Sequence, residues 1–185
     1  MKKFYKLATC AIGATLFSAA AMAATIDRSV SVTATITDPA GAFQVDAISG
    51  TWPVTPIAVS WNDQTNDFNS PSKTGFKIKS SNDVTVVLTS NAVLTEGRKE
   101  IPINVSIEAS EPTKGTSVSN VTMIPATVYE KAKNATGDFT TYQLVLEPST
   151  TNMKDANGVV IPGPNPTPAP GNYTASVDMI FESNI

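Results

Sequence analysis

The chain has 185 residues, 41% hydrophobic and 16% charged, with no histidine and one cysteine. That length suits one domain of about 100–200 residues. Without histidine, His-based triads and His-containing zinc or haem sites are excluded. Thirteen basic against sixteen acidic residues leave a net charge of −3. An acidic chain without a basic stripe is not built for nucleic acid.

The first 23 residues read as an export signal. Lys2, Lys3 and Lys6 form a positive start, an apolar run covers 7–17, and Ala21-Met22-Ala23 has the A-x-A form that signal peptidase cuts. Ala24 offers an alternative cut. The apolar run is shorter than the ~20 residues that span a bilayer. Cleavage removes the only cysteine, Cys10, and three lysines. A chain bound for an oxidising compartment then carries no disulfide, and its net charge becomes −6.

The next segment alternates. Ile26, Val30, Val32, Ala34 and Ile36 share one face, with Arg28 as the one polar member, while Asp27, Ser29, Ser31, Thr33, Thr35 and Thr37 fill the other. Period two with β-branched residues predicts a strand with one buried face, ended by Asp38-Pro39. The same period predicts strands over 84–89, 101–109, 142–147 and 173–182, with weaker candidates over 43–48, 57–61, 76–79 and 121–129. Pro125 should bulge the last of these or place it at an edge. Polar loops are expected over 62–67 and 134–138, a short helical turn over 130–134, and tight hairpins at Gly97-Arg98 and Asn157-Gly158. In residues 162–171 a proline stands at nearly every second place. That segment is expected to be a stiff polyproline-like connection, neither strand nor helix, rather than a ligand for an aromatic groove. Eight or nine short strands in one domain predict an all-β antiparallel sandwich.

Catalytic and metal signals are weak. No base is positioned for any Ser or Thr nucleophile. Asp63, Asp67 and Asp83 lack calcium-loop spacing and read as solvated turns. Lys73, Lys77 and Lys79 cluster around Phe76; anionic glycans are one reading, and lysines guarding an edge strand the favoured one. Trp52 and Trp61 could stack on a sugar, but packing is the simpler role. Four N-x-S/T matches, at Asn104, Asn120, Asn134 and Asn172, are of the kind that Thr-rich chains produce by chance. No catalytic residue, metal or cofactor is assigned.

Periodicity alone leaves two roles for the first strand. It can pair within its own chain, or it can be donated to a groove in a neighbouring subunit. Both ends of the mature chain carry further motifs: Ile26-Asp-Arg-Ser-Val-Ser-Val-Thr-Ala-Thr-Ile36 after an Ala-Met-Ala signal, and Pro170-Gly171-Asn172-Tyr173 leading into a final alternating strand. With the missing cysteine pair, these resemble the major pilins of the α class of the chaperone–usher pathway, the class 5 or colonisation-factor-antigen-I family. The resemblance covers about 25 residues at the two ends. The proline-rich loop is longer than that family leads one to expect.

The resemblance implies an incomplete immunoglobulin-like sandwich, completed by donor-strand exchange. It implies a signal at 1–23, a donor extension at 24–38 and a pilin domain at 39–185. Ile26, Val30, Val32, Ala34 and Ile36 would be the donor face. Tyr173, Ala175, Val177, Met179 and Phe181 would line the acceptor groove and register the chaperone. The implied partners are identical subunits head to tail, a periplasmic chaperone, an outer-membrane usher and a minor tip adhesin, on a bacterial surface fimbria. The competing function is a secreted, monomeric, Ig-like carbohydrate-binding module.

Overall fold

A computed structural model describes residues 25–26, 43–48, 59–69, 71–134, 137–164 and 166–183. In chain order the strands are β1 (Thr25–Ile26), β2 (Gln44–Ala47), β3 (Val59–Asn62), β4 (Asp67–Phe68), β5 (Ser72–Lys79), β6 (Val84–Leu88), β7 (Val93–Glu96), β8 (Lys99–Ala109), β9 (Ala126–Tyr129), β10 (Thr140–Pro148) and β11 (Met179–Ser183). One turn of 3-10 helix covers Lys131–Lys133.

Alternation drives these strands inward on one side. Val84, Val86 and Leu88 of β6, Ile101, Ile103, Val105 and Ile107 of β8, and Tyr142, Leu144 and Leu146 of β10 are all buried. The hairpin at Gly97-Arg98 forms with Gly97 at φ +62°, which only glycine adopts freely. The Asn157-Gly158 turn forms with Gly158 at φ +79°. There the Asp155 carboxylate accepts the N–H groups of Asn157 and Val159.

The structure corrects several expectations. The candidate over 121–129 keeps only Ala126–Tyr129, because Pro125 cannot donate to a ladder. The polar loop at 62–67 contains the start of β4, which pairs with β3. Strand β5 begins at Ser72, four residues before the expected start, and β7 was missed. Residues 162–164 and 166–171 hold neither strand nor helix, but Gly163 at φ +120° bends the segment away from a straight polyproline run.

Two main sheets form the body. One has the order β2-β5-β10-β8-β7 and the other β11-β6-β9, with β1-β3-β4 as a smaller sheet. All the strand pairings are antiparallel. The main sheets enclose one core. Phe76 of β5 stacks on Tyr142 at 5.4 Å and meets Phe181 of β11 at 5.6 Å between ring centroids. The chain after β8 laces one side, bridging Ile107 to Val118 and Gly115 to Tyr129. The result is an all-β, immunoglobulin-like antiparallel sandwich, with β11 at a sheet edge among the described residues.

Candidate functional site: the last strand and its anchor

Burial follows the alternation of the last run along its whole length. Tyr173, Ala175, Val177, Met179 and Phe181 are all at most 7% exposed. Thr174, Ser176 and Glu182 face outward. The expected strand over 173–182 is nevertheless not one ladder. Thr174 exchanges two backbone hydrogen bonds with Thr95 of β7, at 2.8 and 3.0 Å. By Asp178, whose carbonyl accepts the Thr89 N–H at 3.0 Å, the chain has reached the other sheet. Between Thr174 and Asp178 the run passes from one sheet to the other, and the continuous strand is Met179–Ser183.

The register of β11 on β6 fixes which backbone groups are used. Ile180 opposes Val87, and Glu182 opposes Thr85. Asp178–Thr89 continues that register as a hydrogen-bonded pair. In an antiparallel ladder such pairs alternate. Asp178, Ile180 and Glu182 therefore turn their backbone groups to β6, whereas Met179, Phe181 and Ser183 turn theirs to the other edge. Among the described residues no strand pairs along that edge.

The start of the run is clamped by the β7–β8 hairpin. The Asn172 N–H donates to Glu96 Oε1 at 3.0 Å. Lys99 Nζ bridges Glu96 Oε2 at 2.6 Å and donates to the Pro170 carbonyl at 2.7 Å. Tyr173 Oη donates to the Ala169 carbonyl at 2.7 Å. A Cβ on Gly171 would collide with the Glu96 carboxylate, so glycine is what lets the clamp close. The Lys99 hydrogen bond, then the Asn172 N–H, hold the Glu96 carboxyl below the usual glutamate range. The Pro-Gly-Asn-Tyr motif thus has a local cause, and Glu96 and Lys99 are site residues that the sequence did not offer.

The other expected residues fall apart from this site. Ile26 lies in β1, in register with Val59 of its own chain. Val30, Val32, Ala34 and Ile36 lie outside the described residues, as do the signal and Trp52. Trp61 packs edge-on against Phe68 at 5.0 Å. Asp67 accepts the Phe68 N–H within β4, and Asp83 accepts the Lys131 N–H at the start of the 3-10 turn.

The model of the CS1-type fimbrial major subunit family matches residues 26–182. The chain belongs to this family. It is a structural subunit of a cell-surface fimbria, a polymer of subunits. No individual curated protein matches the chain. The family match runs from the start of the first alternating segment to the last strand, and so takes in both segments singled out by the sequence.

Proposed function

We propose that this fimbrial subunit polymerises by donor-strand exchange, and that it is not an enzyme. Residues 24–38, of which Thr25 and Ile26 pair with β3 of their own chain in the isolated subunit, give up that pairing and serve as a donor extension once the export signal at 1–23 is removed. Val30, Val32, Ala34 and Ile36, with Ile26 at the margin, enter the slot beside the last strand of the next subunit. The observation that carries this reading is β11 itself: a buried apolar face beside an edge with no partner among the described residues.

An open edge over an apolar core is an aggregation hazard. A periplasmic chaperone covers it during export, and an outer-membrane usher exchanges the chaperone for the next extension. The contact joins unlike surfaces of identical subunits, so it propagates a filament instead of closing a dimer. Burying four apolar side chains at about 1.5–3 kcal/mol each supplies about 6–12 kcal/mol before ordering costs. The shaft carries a minor tip adhesin to its target, which makes the fimbria adhesive.

The test is material sheared from producing cells and run on SDS gels, unheated and boiled. Strand exchange predicts an oligomer ladder that collapses to monomer only on boiling, because such joints open slowly. A lone monomer band in both lanes overturns it and favours the monomeric carbohydrate-binding module.

A further inference from the structure

The Asn157-Gly158 turn carries a reactive pair. It is the one Asn-Gly sequence in the chain, and both residues are exposed. Glycine has no side chain to crowd its own nitrogen. In a chain free to bend, that nitrogen attacks Cγ of the preceding asparagine. The new N–C bond closes a succinimide, the Cγ–Nδ2 bond breaks, and ammonia leaves with the proton of the Gly158 N–H. Water then opens the ring at either carbonyl, which yields aspartate or isoaspartate. Solvent water is the only co-reactant.

The folded turn stands against this reaction. The Gly158 N–H donates to the Asp155 carbonyl at 3.0 Å, so the attacking nitrogen is tied across the turn. Asp155 Oδ1 accepts the N–H groups of Asn157 and Val159 at 2.8 and 2.9 Å. The Asn157 carboxamide nitrogen lies 3.4 Å from Asp155 Oδ2. The successive N–H groups of Asn157, Gly158 and Val159 thus all end on one residue. The ladder below is closed as well. The Asp155 N–H reaches the Val159 carbonyl at 2.9 Å and the Ile161 N–H the Met153 carbonyl at 2.8 Å, while Lys154 pairs with Val160. Met153 is fully buried, so the ladder is rooted in the core. The N–H groups of Val159, then Asn157, hold the Asp155 carboxyl below the usual aspartate range, which keeps the acceptor ionised at neutral pH. To react, the Gly158 nitrogen must drop its hydrogen bond and turn towards the Asn157 side chain, and that requires a local opening of the turn.

We infer that Asn157 is a latent deamidation site and that Asp155 is the positioning residue that keeps it closed. Deamidation adds a carboxylate beside Asp155, and like charges repel. Isoaspartate also lengthens the backbone by one atom after residue 157, which takes the Lys154–Val160 bridge out of register. A subunit on the cell surface keeps this hairpin only while the clamp holds. The inference uses no residue of the proposed donor or acceptor segments, so it does not rest on how subunits are joined.

The experiment incubates the purified, surface-released protein in neutral buffer. Mass spectrometry follows the tryptic peptide that begins at Asp155, with its aspartate and isoaspartate forms separated by chromatography. The folded parent should deamidate at Asn157 about tenfold more slowly, or slower still, than the same chain unfolded in urea. Asp155→Ala should raise the rate in the folded protein about tenfold. Asp155→Asn keeps an oxygen for the Asn157 and Val159 N–H groups and should stay near the parent. The comparison of folded with urea-unfolded parent needs no variant, so it stands even where Asp155→Ala does not fold. Equal rates in the folded and unfolded parent overturn the assignment. So does a folded Asp155→Ala variant as slow as the parent, or Asp155→Asn as fast as Asp155→Ala.

Discussion

Tyr142 Oη donates a 2.8 Å hydrogen bond to the carbonyl of Val128 and so ties β10 of one main sheet to β9 of the other. The ring stacks on Phe76 and is fully buried, and burial pushes the phenol well above its ordinary pKa. Tyr129 makes a second tie, from its hydroxyl to the Ser80 carbonyl at 3.0 Å. The two sheets are thus fastened by polar contacts that pass through an apolar core.

Tyr142→Phe keeps the stacked ring and removes only the tie. The Val128 carbonyl loses a buried partner, and the fold should lose about 1–2 kcal/mol. Urea unfolding should show a lower midpoint with an unchanged slope. An unchanged midpoint means that the bond contributes nothing net.

Gly171→Ala should push the Glu96 carboxylate off Asn172 and Lys99. The melting temperature should fall by about 2–4 °C. In a Glu96→Ala background the same change should cost less, because the collision is gone. Equal losses in both backgrounds would sink the clamp as their cause.

Acid should act through the same carboxylate. Glu96 is held low by Lys99 and Asn172, and Glu130 by Lys133 and Thr116. A group whose folded value is depressed gives its full stability above its ordinary value, near 4.5 here, and loses it as pH falls through the folded value. Stability should be level from about pH 7 to 5 and fall below about 4.5. Glu96→Gln should flatten part of that fall, as read from urea midpoints across pH.

Val32→Asp places a charge in the middle of the proposed donor face. The variant should be exported and stable as a subunit, yet absent from sheared polymer, since an unpaired charge does not enter an apolar slot. Filaments of normal length from this variant would remove Val32 from the joint.

The strands that the sequence located best are β6, β8 and β10, where Val84, Val86 and Leu88, or Ile101 to Ile107, repeat at period two. A buried face imposes that period whichever strand lies alongside. The tight turns were equally plain, because Gly97 and Gly158 answer a backbone demand within two residues. β4 and β7 escaped notice: one is two residues long and the other four, too few for a period to show.

By itself the sequence determined a strand-built chain without histidine chemistry, and, through its two ends, its family resemblance. Tertiary structure decided the rest. The Glu96–Asn172 hydrogen bond joins residues 76 apart, and the placement of β5 between β2 and β10 put Lys73, Lys77 and Lys79 on an inner strand instead of the expected edge. Alternation tells which face is buried but not which strand is the neighbour. Pairing, sheet order and the position of β11 at a sheet edge among the described residues arise from contacts between distant segments, and only the folded chain brings those together.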